Sequence, residues 1–326
     1  MPFLLPLLAL LLLSAAPTVT KVVTSISDCD EYFLHQTPPQ IGGILEGGNI
    51  LDQNRYKPIC QTLDNSRTFV TLYDTTNKIP VFSAYKYIGK LNIKRPQQWM
   101  IEPQLENINW NANMRMADKR KSYIHQAVRT DYINNQGFDK GHLLPSSYGL
   151  NENDKKSTFT LTNIVPQVDS FNQGSWKKME TCVRCVLDKY CINNNDQTEG
   201  FVVIGARPNN NNNLLNNKVN IPSMLWSAFC CYSRSQETWL AGAHWGDNIE
   251  DGDPVLQTKT LDELHRELGA ESKAFPGTNC PLHTTVTQLY PHLDRTCNCP
   301  PSISTTTSGP LTTTSGPVST TFQSNN

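Results

Sequence analysis

One stretch, residues 138–190, constrains this chain more than any other. Phe138-Asp139-Lys140-Gly141-His142 reads as a short strand that ends on its histidine. In Thr158-Phe159-Thr160-Leu161-Thr162, apolar residues alternate with threonines, the pattern of a half-buried strand. Trp176, Met179, Val183, Val186, Leu187 and Tyr190 then recur at helical spacing, which predicts a helix laying one apolar stripe on those strands. Asn172-Gln173-Gly174 falls at the start of that helix, and Glu180 lies two turns beyond Asn172. The stripe is core and is given no ligand role.

Polar residues at fixed points of this unit suggest chemistry. The chain has only seven histidines in 326 residues, and His142 closes the first strand. Neutral imidazole, with a reference pKa near 6.5, takes up a proton at physiological pH. An asparagine oxygen suits a hard cation that keeps most of its waters, as Mg²⁺ does. A base, an amide ligand and a carboxylate in this order suit hydrolysis of a phosphodiester, an anion whose charge must be offset before water can attack. Plainer roles compete with each assignment. His142 would then be a histidine satisfying a turn, Asn172 a helix cap and Glu180 a surface carboxylate.

The rest of the span from about 17 to 299 is long enough for one large α+β domain. Phe69–Tyr73 and Val81–Tyr85 read as strands around a polar turn, and Phe201–Gly205 as a short buried strand. Leu225–Tyr232 and Thr238–His244 form an expected hairpin through Ser233-Arg234-Ser235. The asparagine run 209–213 is a surface loop, and Leu261–Leu268 a late helix.

At the start, residues 3–13 are an uncharged apolar run of eleven followed by Ser14-Ala15-Ala16. This predicts a signal peptide cut after Ala16, because a bilayer span needs about 20 apolar residues. From residue 300 the segment Thr-Thr-Thr-Ser-Gly-Pro repeats, and such a tail has no apolar face to bury. Its composition suits O-glycosylation, and the chain has no Asn-x-Ser/Thr sequon. All ten cysteines lie after residue 16. An even count in a secreted chain argues for disulfides, with Cys29–Cys60 the preferred pair. Cys182-x-x-Cys185 with Cys191 reads only weakly as zinc, since no histidine lies near to complete it. The formal net charge is −1, which excludes a strongly basic nucleic-acid binder. Binding to DNA and RNA phosphates must therefore come from a local rim, with Lys140, Lys177 and Lys178 preferred over Arg115, Lys119–Lys121 and Lys155-Lys156.

Asp139-Lys140-Gly141-His142, Thr162–Gln167 and Asn172–Glu180 together resemble the DNA/RNA non-specific endonucleases. Asp30–Phe33, Thr37-Pro38-Pro39, Ile79–Tyr85 and Glu102-Pro103-Gln104 are similar to the endonuclease domain-containing 1 group within them. The resemblance covers about residues 28–285. It implies an α+β fold built around a ββα-metal (His-Me) finger, with a central antiparallel sheet and flanking helices. It also implies His142 as general base and Asn172 as the one direct protein ligand of Mg²⁺ or a similar cation such as Mn²⁺. Glu180 would orient a water of that ion, and Arg95 would contact the scissile phosphate. Asp139 and Asn163 would give structural support, Asn163 by side-chain hydrogen bonds. The family usually carries arginine where this chain has Lys140, which keeps the charge but loses the planar two-pronged grip.

Two other readings are an inactive relative kept as an extracellular binding or immune-interaction module, and a mucin-like adhesion protein suggested by the tail. The presence of His142 favours the nuclease over the first of these.

Overall fold

The computed structural model describes residues 21–94, 96, 98–134, 136–250 and 252–300. The expected leader, the tail from residue 301 and Arg95 lie outside these residues.

Six strands build the central sheet: β1 (Tyr56–Leu63), β2 (Ser66–Asp74), β3 (Ile79–Tyr87), β6 (Gly200–Arg207), β7 (Met224–Ser233) and β8 (Thr238–Asp247). β4 (Phe138–His142) and β5 (Ile164–Val168) form a separate antiparallel pair. The large sheet runs in the order β8-β7-β6-β3-β2-β1, antiparallel throughout. Its strands read as nearly continuous apolar runs because both faces are covered. Val202, Ile204, Leu225, Phe229 and Cys231 feed one core, and Phe201, Val203, Trp226, Ala228 and Cys230 the other. Side chains alternate faces along a strand, so the neighbours Cys230 and Cys231 leave in opposite directions. Cys230 bonds Cys280 on one side and Cys231 bonds Cys191 on the other.

The first core is closed by the β4–β5 finger and the helix α2 (Lys177–Tyr190), which contributes Met179, Val183, Val186 and Leu187. The second is closed by the segment around Ile26 and Phe33 and by α3 (Leu261–Leu268). Thr260 starts α3 with a reciprocal cap: its hydroxyl oxygen accepts from the Glu263 amide at 3.1 Å, and the Glu263 carboxylate accepts from the Thr260 amide at 2.8 Å. Such caps are worth about 1 kcal/mol. Cys29–Cys60 ties the N-terminal segment to β1, while Cys182–Cys299 and Cys185–Cys297 staple α2 to the C-terminal turn. With Cys182, Cys185 and Cys191 all in disulfides, zinc at that cluster is ruled out.

One expected strand is absent. Residues 158–162 leave the short helix α1 (Glu152–Ser157) and enter a tight turn, and the strand begins only at Ile164. The three threonines are not solvent-facing: all are at most 1% exposed. Buried carboxylate and carbonyl groups satisfy them, with Thr160 donating to Glu102 at 2.6 Å and Thr158 to the Lys155 carbonyl at 2.9 Å. Alternation of threonine with apolar residues signals a strand only if threonine meets water.

Candidate functional site

The finger presents His142 as the last residue of β4, paired with Ile164 of β5. The close pairing depends on Gly141, because a Cβ there would lie 2.2 Å from Oε1 of the buried Gln167. Beyond His142 the chain is held by Asn163. Its carbonyl oxygen accepts from the Leu143 amide at 2.9 Å, and its Oδ1 from the Leu144 amide at 3.0 Å and Ser83 at 2.9 Å. Its Nδ2 donates to the carbonyls of Leu144 and Thr158 at 3.0 and 3.1 Å. A fully buried amide with its polar atoms satisfied in this way fixes the loop. The imidazole itself packs against Trp99 (ring centroids 5.6 Å apart) and Phe159 (4.7 Å, edge-to-face), which also touch each other at 5.0 Å. Both aromatics restrict its rotation.

Asn172 enters from the other side. The helix that begins at Asp169 widens into a π-type turn over Asn172–Trp176 before continuing as α2. Such turns interrupt a helix to re-aim side chains. Asp139 fixes what Asn172 offers: its Oδ2 accepts from Asn172 Nδ2 and from Gln173 Nε2, both at 2.8 Å. An ionised carboxylate only accepts, so the asparagine must give it the NH₂ and keep its carbonyl oxygen for another partner.

These groups line one cleft of about 340 Å³, together with Lys140, Lys177, Glu180, Thr181, Arg184 and the Ser146-Ser147 turn. Lys177, Glu180, Thr181 and Arg184 are spaced i, i+3, i+4 and i+7, a polar stripe along α2 beside its apolar one. Lys140 is half-buried near Trp99 and Tyr132, at 5.6 and 5.7 Å from the ring centroids. Burial lowers its pKa, and the nearby Arg129 cation lowers it further. Three cations therefore meet one carboxylate in the lining, although the whole chain is slightly acidic.

Of the expected site residues, His142, Asn172, Glu180, Lys140 and Lys177 share this cleft, and Asp139 and Asn163 hold two of them from behind. Lys178 does not join them; it is off the polar stripe, and its Nζ donates to the Pro254 carbonyl at 3.3 Å. Arg95 lies outside the described residues. Arg184 and the aromatic pair Trp99–Phe159 were not anticipated. The helical spacing from Lys177 and Glu180 was a signal for Arg184, whereas nothing local in sequence pairs Trp99 with His142.

Whether the cleft suits a cation is a question of donors. Among the described residues no cluster of three His, Cys, Asp or Glu side chains is arranged to hold a metal. What the cleft offers is one oriented amide oxygen with a carboxylate nearby. That set fits a hard ion that keeps most of its water, and does not fit zinc.

A family model for DNA/RNA non-specific endonucleases matches residues 47–265. Endonuclease domain-containing 1 protein of Homo sapiens is 28% identical over 212 residues, 63% of this chain and 39% of that protein. The Mus musculus protein of the same name is 28% identical over 281 residues, 84% of this chain and 52% of that one. Mitochondrial endonuclease G of Homo sapiens is 30% identical over 98 residues, 28% of this chain and 33% of that protein. The chain thus spans about half, or less, of the length of these relatives.

Proposed function

The chain belongs to the DNA/RNA non-specific endonuclease family, and from that premise we propose that it is a secreted, divalent-metal-dependent nuclease that cuts DNA and RNA without reading their sequence. One observation supports this best: Asp139 turns the Asn172 amide so that its oxygen is kept for a cation, in the same cleft as His142 and Glu180. A helix cap would spend that side chain on backbone amides, whereas among the described residues the Asn172 side chain bonds to the Asp139 carboxylate.

In this reading His142 is the general base. Its ring, packed against Trp99 and Phe159, takes a proton from the attacking water. Asn172 Oδ1 would hold Mg²⁺ or a similar ion such as Mn²⁺, with Glu180 positioned for that ion's hydration shell. When bound, the ion supplies positive charge that offsets the phosphate and the departing 3′-oxygen. Lys140, Lys177 and Arg184 draw the phosphate into the cleft and hold it by charge. Such contacts reach the backbone and carry no base information, which accounts for action on any sequence. The five disulfides, accounting for every cysteine, fit the oxidising compartment that the expected leader implies. No helix among the described residues is long and apolar enough to cross a membrane.

The test is degradation of plasmid DNA and of a structured RNA by the purified protein. Cleavage of both with Mg²⁺, abolished by chelator and absent in His142→Ala, is the expected result. Intact substrate in every condition would remove the nuclease reading and leave a binding module.

A further inference from the structure

A second cavity of about 550 Å³ adjoins the cleft that holds His142. The two share Ser146, Ser147 and Arg184 as a common wall, and Lys90, Lys155 and the chain at 91–93 form the far side. Three cations line this space and no carboxylate does, among the described residues.

Lys155 gives the cavity its character. It sits in the last turn of α1 and is only 9% exposed. Its neighbour Lys156 points to solvent and pairs with Glu152 one turn back. Lys155 has no carboxylate partner among the described residues; its Nζ donates to the carbonyls of Leu91 and Ile93 at 2.9 and 3.1 Å. An ammonium carries three donors, so two neutral carbonyls leave both its charge and one donor uncompensated. Burial lowers its pKa, and so do the facing cations Arg184 and Lys90. Holding a covered cation against two others is unfavourable unless an anion joins them. Lys90 is the weakest of the three, being paired with Asp188 at 3.2 Å.

We propose that this cavity is a second phosphate subsite, which takes the phosphodiester next to the scissile one in the same nucleic-acid strand. Lys155 and Arg184 supply most of the charge, and the Ser146 and Ser147 hydroxyls are the neutral donors. Continuity decides between a strand and a free anion. A polymer with one phosphate per nucleotide delivers a second anion beside the first, and here the wall between the two cavities is shared. The proposal rests on the nuclease reading for its substrate. It adds that productive binding needs a strand longer than the bond being cut.

Binding of a short single-stranded oligonucleotide, measured in chelator across a salt series, tests this without cleavage. Lys155→Met removes the covered charge at similar length. Lys90→Gln changes a more exposed residue (41%), and its fold is expected to stay intact. Each lost phosphate contact should lower the salt slope by about 0.7. Lys155→Met should approach that loss, with affinity falling several-fold at low salt, and Lys90→Gln should fall less in the same direction. Unchanged slopes in both variants overturn the subsite. So does an unchanged slope in Lys90→Gln alone, if Lys155→Met does not fold. Inorganic phosphate that competes as well as an oligonucleotide of equal charge would instead mean a free-anion site and would overturn the strand assignment. Cleavage by the unaltered protein is scored alongside: a protein that binds with the expected slope but cuts nothing fails as a nuclease while keeping this cavity as its strand-binding site.

Discussion

The finger and the outer hairpin of the sheet each bury a histidine, and the two are built for different ends. His142 is 8% exposed and forms part of a cleft wall, its ring against two aromatics, with three cations in the same lining. His244, on β8, is fully buried, with Nε2 3.1 Å from the Thr258 hydroxyl. Burial alone does not decide what a histidine is for. What separates them is whether the surrounding side chains leave room and charge for an anion, as they do around His142.

The sharpest way to break this contrast is to remove each ring. His142→Ala should lose about 10³-fold in cleavage rate, the usual weight of general-base catalysis, while its thermal melt stays close to that of the parent. His244→Asn should cleave at nearly the parent rate. Comparable turnover by both variants would put the base elsewhere.

Next in size is the amide that faces His142 across the cleft. Asn172→Ala should shift the Mg²⁺ concentration for half-maximal activity upward, with partial recovery at high Mg²⁺. Asp139→Ala should do the same less completely, because it removes only the group that orients the amide; outer-shell partners of this kind are typically worth 10–100-fold in metal affinity. Superimposable Mg²⁺ titrations of Asp139→Ala and parent would show that the hydrogen bond has no bearing on the ion.

His244 carries the acid side of the comparison. Burial lowers its pKa from 6.5 to about 3. The unfolded chain therefore binds the proton more tightly, so this group's contribution to stability is present above pH 6.5 and is lost as pH falls toward 3. At about 1.4 kcal/mol for each tenfold change in proton affinity, the full effect is several kcal/mol. Melting temperatures of the parent and His244→Asn between pH 7 and 4 should converge as pH falls, the variant losing less. Parallel curves would mean that His244 does not drive acid unfolding.

Much of this was legible in the sequence, for physical reasons that differ by region. The outer hairpin lies at nearly its expected bounds because apolar and aromatic runs flank a short polar turn. α3 spans the expected Leu261–Leu268, and the structure shows Thr260 and Glu263 capping its start. The second finger strand begins about six residues later than the sequence pattern implies, because buried threonines bonded to Glu102 imitate a solvent-facing alternation. That carboxylate also pairs with Lys21, and both are fully buried, a contact between segments 81 residues apart that no local pattern announces. In the site, the short motifs mark His142 and Asn172, which the fold brings to one cleft, while the ring contacts of Trp99 and Phe159 exist only after the chain folds.

The smallest expected effect divides two adjacent lysines that look like a pair in the sequence. Both Lys177 and Lys178 are exposed. A helix turns about 100° between consecutive residues, so neighbours in sequence do not share a face. Lys177 falls on the stripe with Glu180, Thr181 and Arg184 and lines the cleft, whereas Lys178 reaches the Pro254 carbonyl. Reversing the charge at Lys177 should weaken binding of unrelated duplexes alike by several-fold at low salt and lower the salt slope by about 0.9, the value of one phosphate contact. The same change at Lys178 should cost less than half as much and leave the slope within error. Equal losses from Lys177→Glu and Lys178→Glu would mean that the substrate track runs over the helix surface at large and that the polar stripe does not define it.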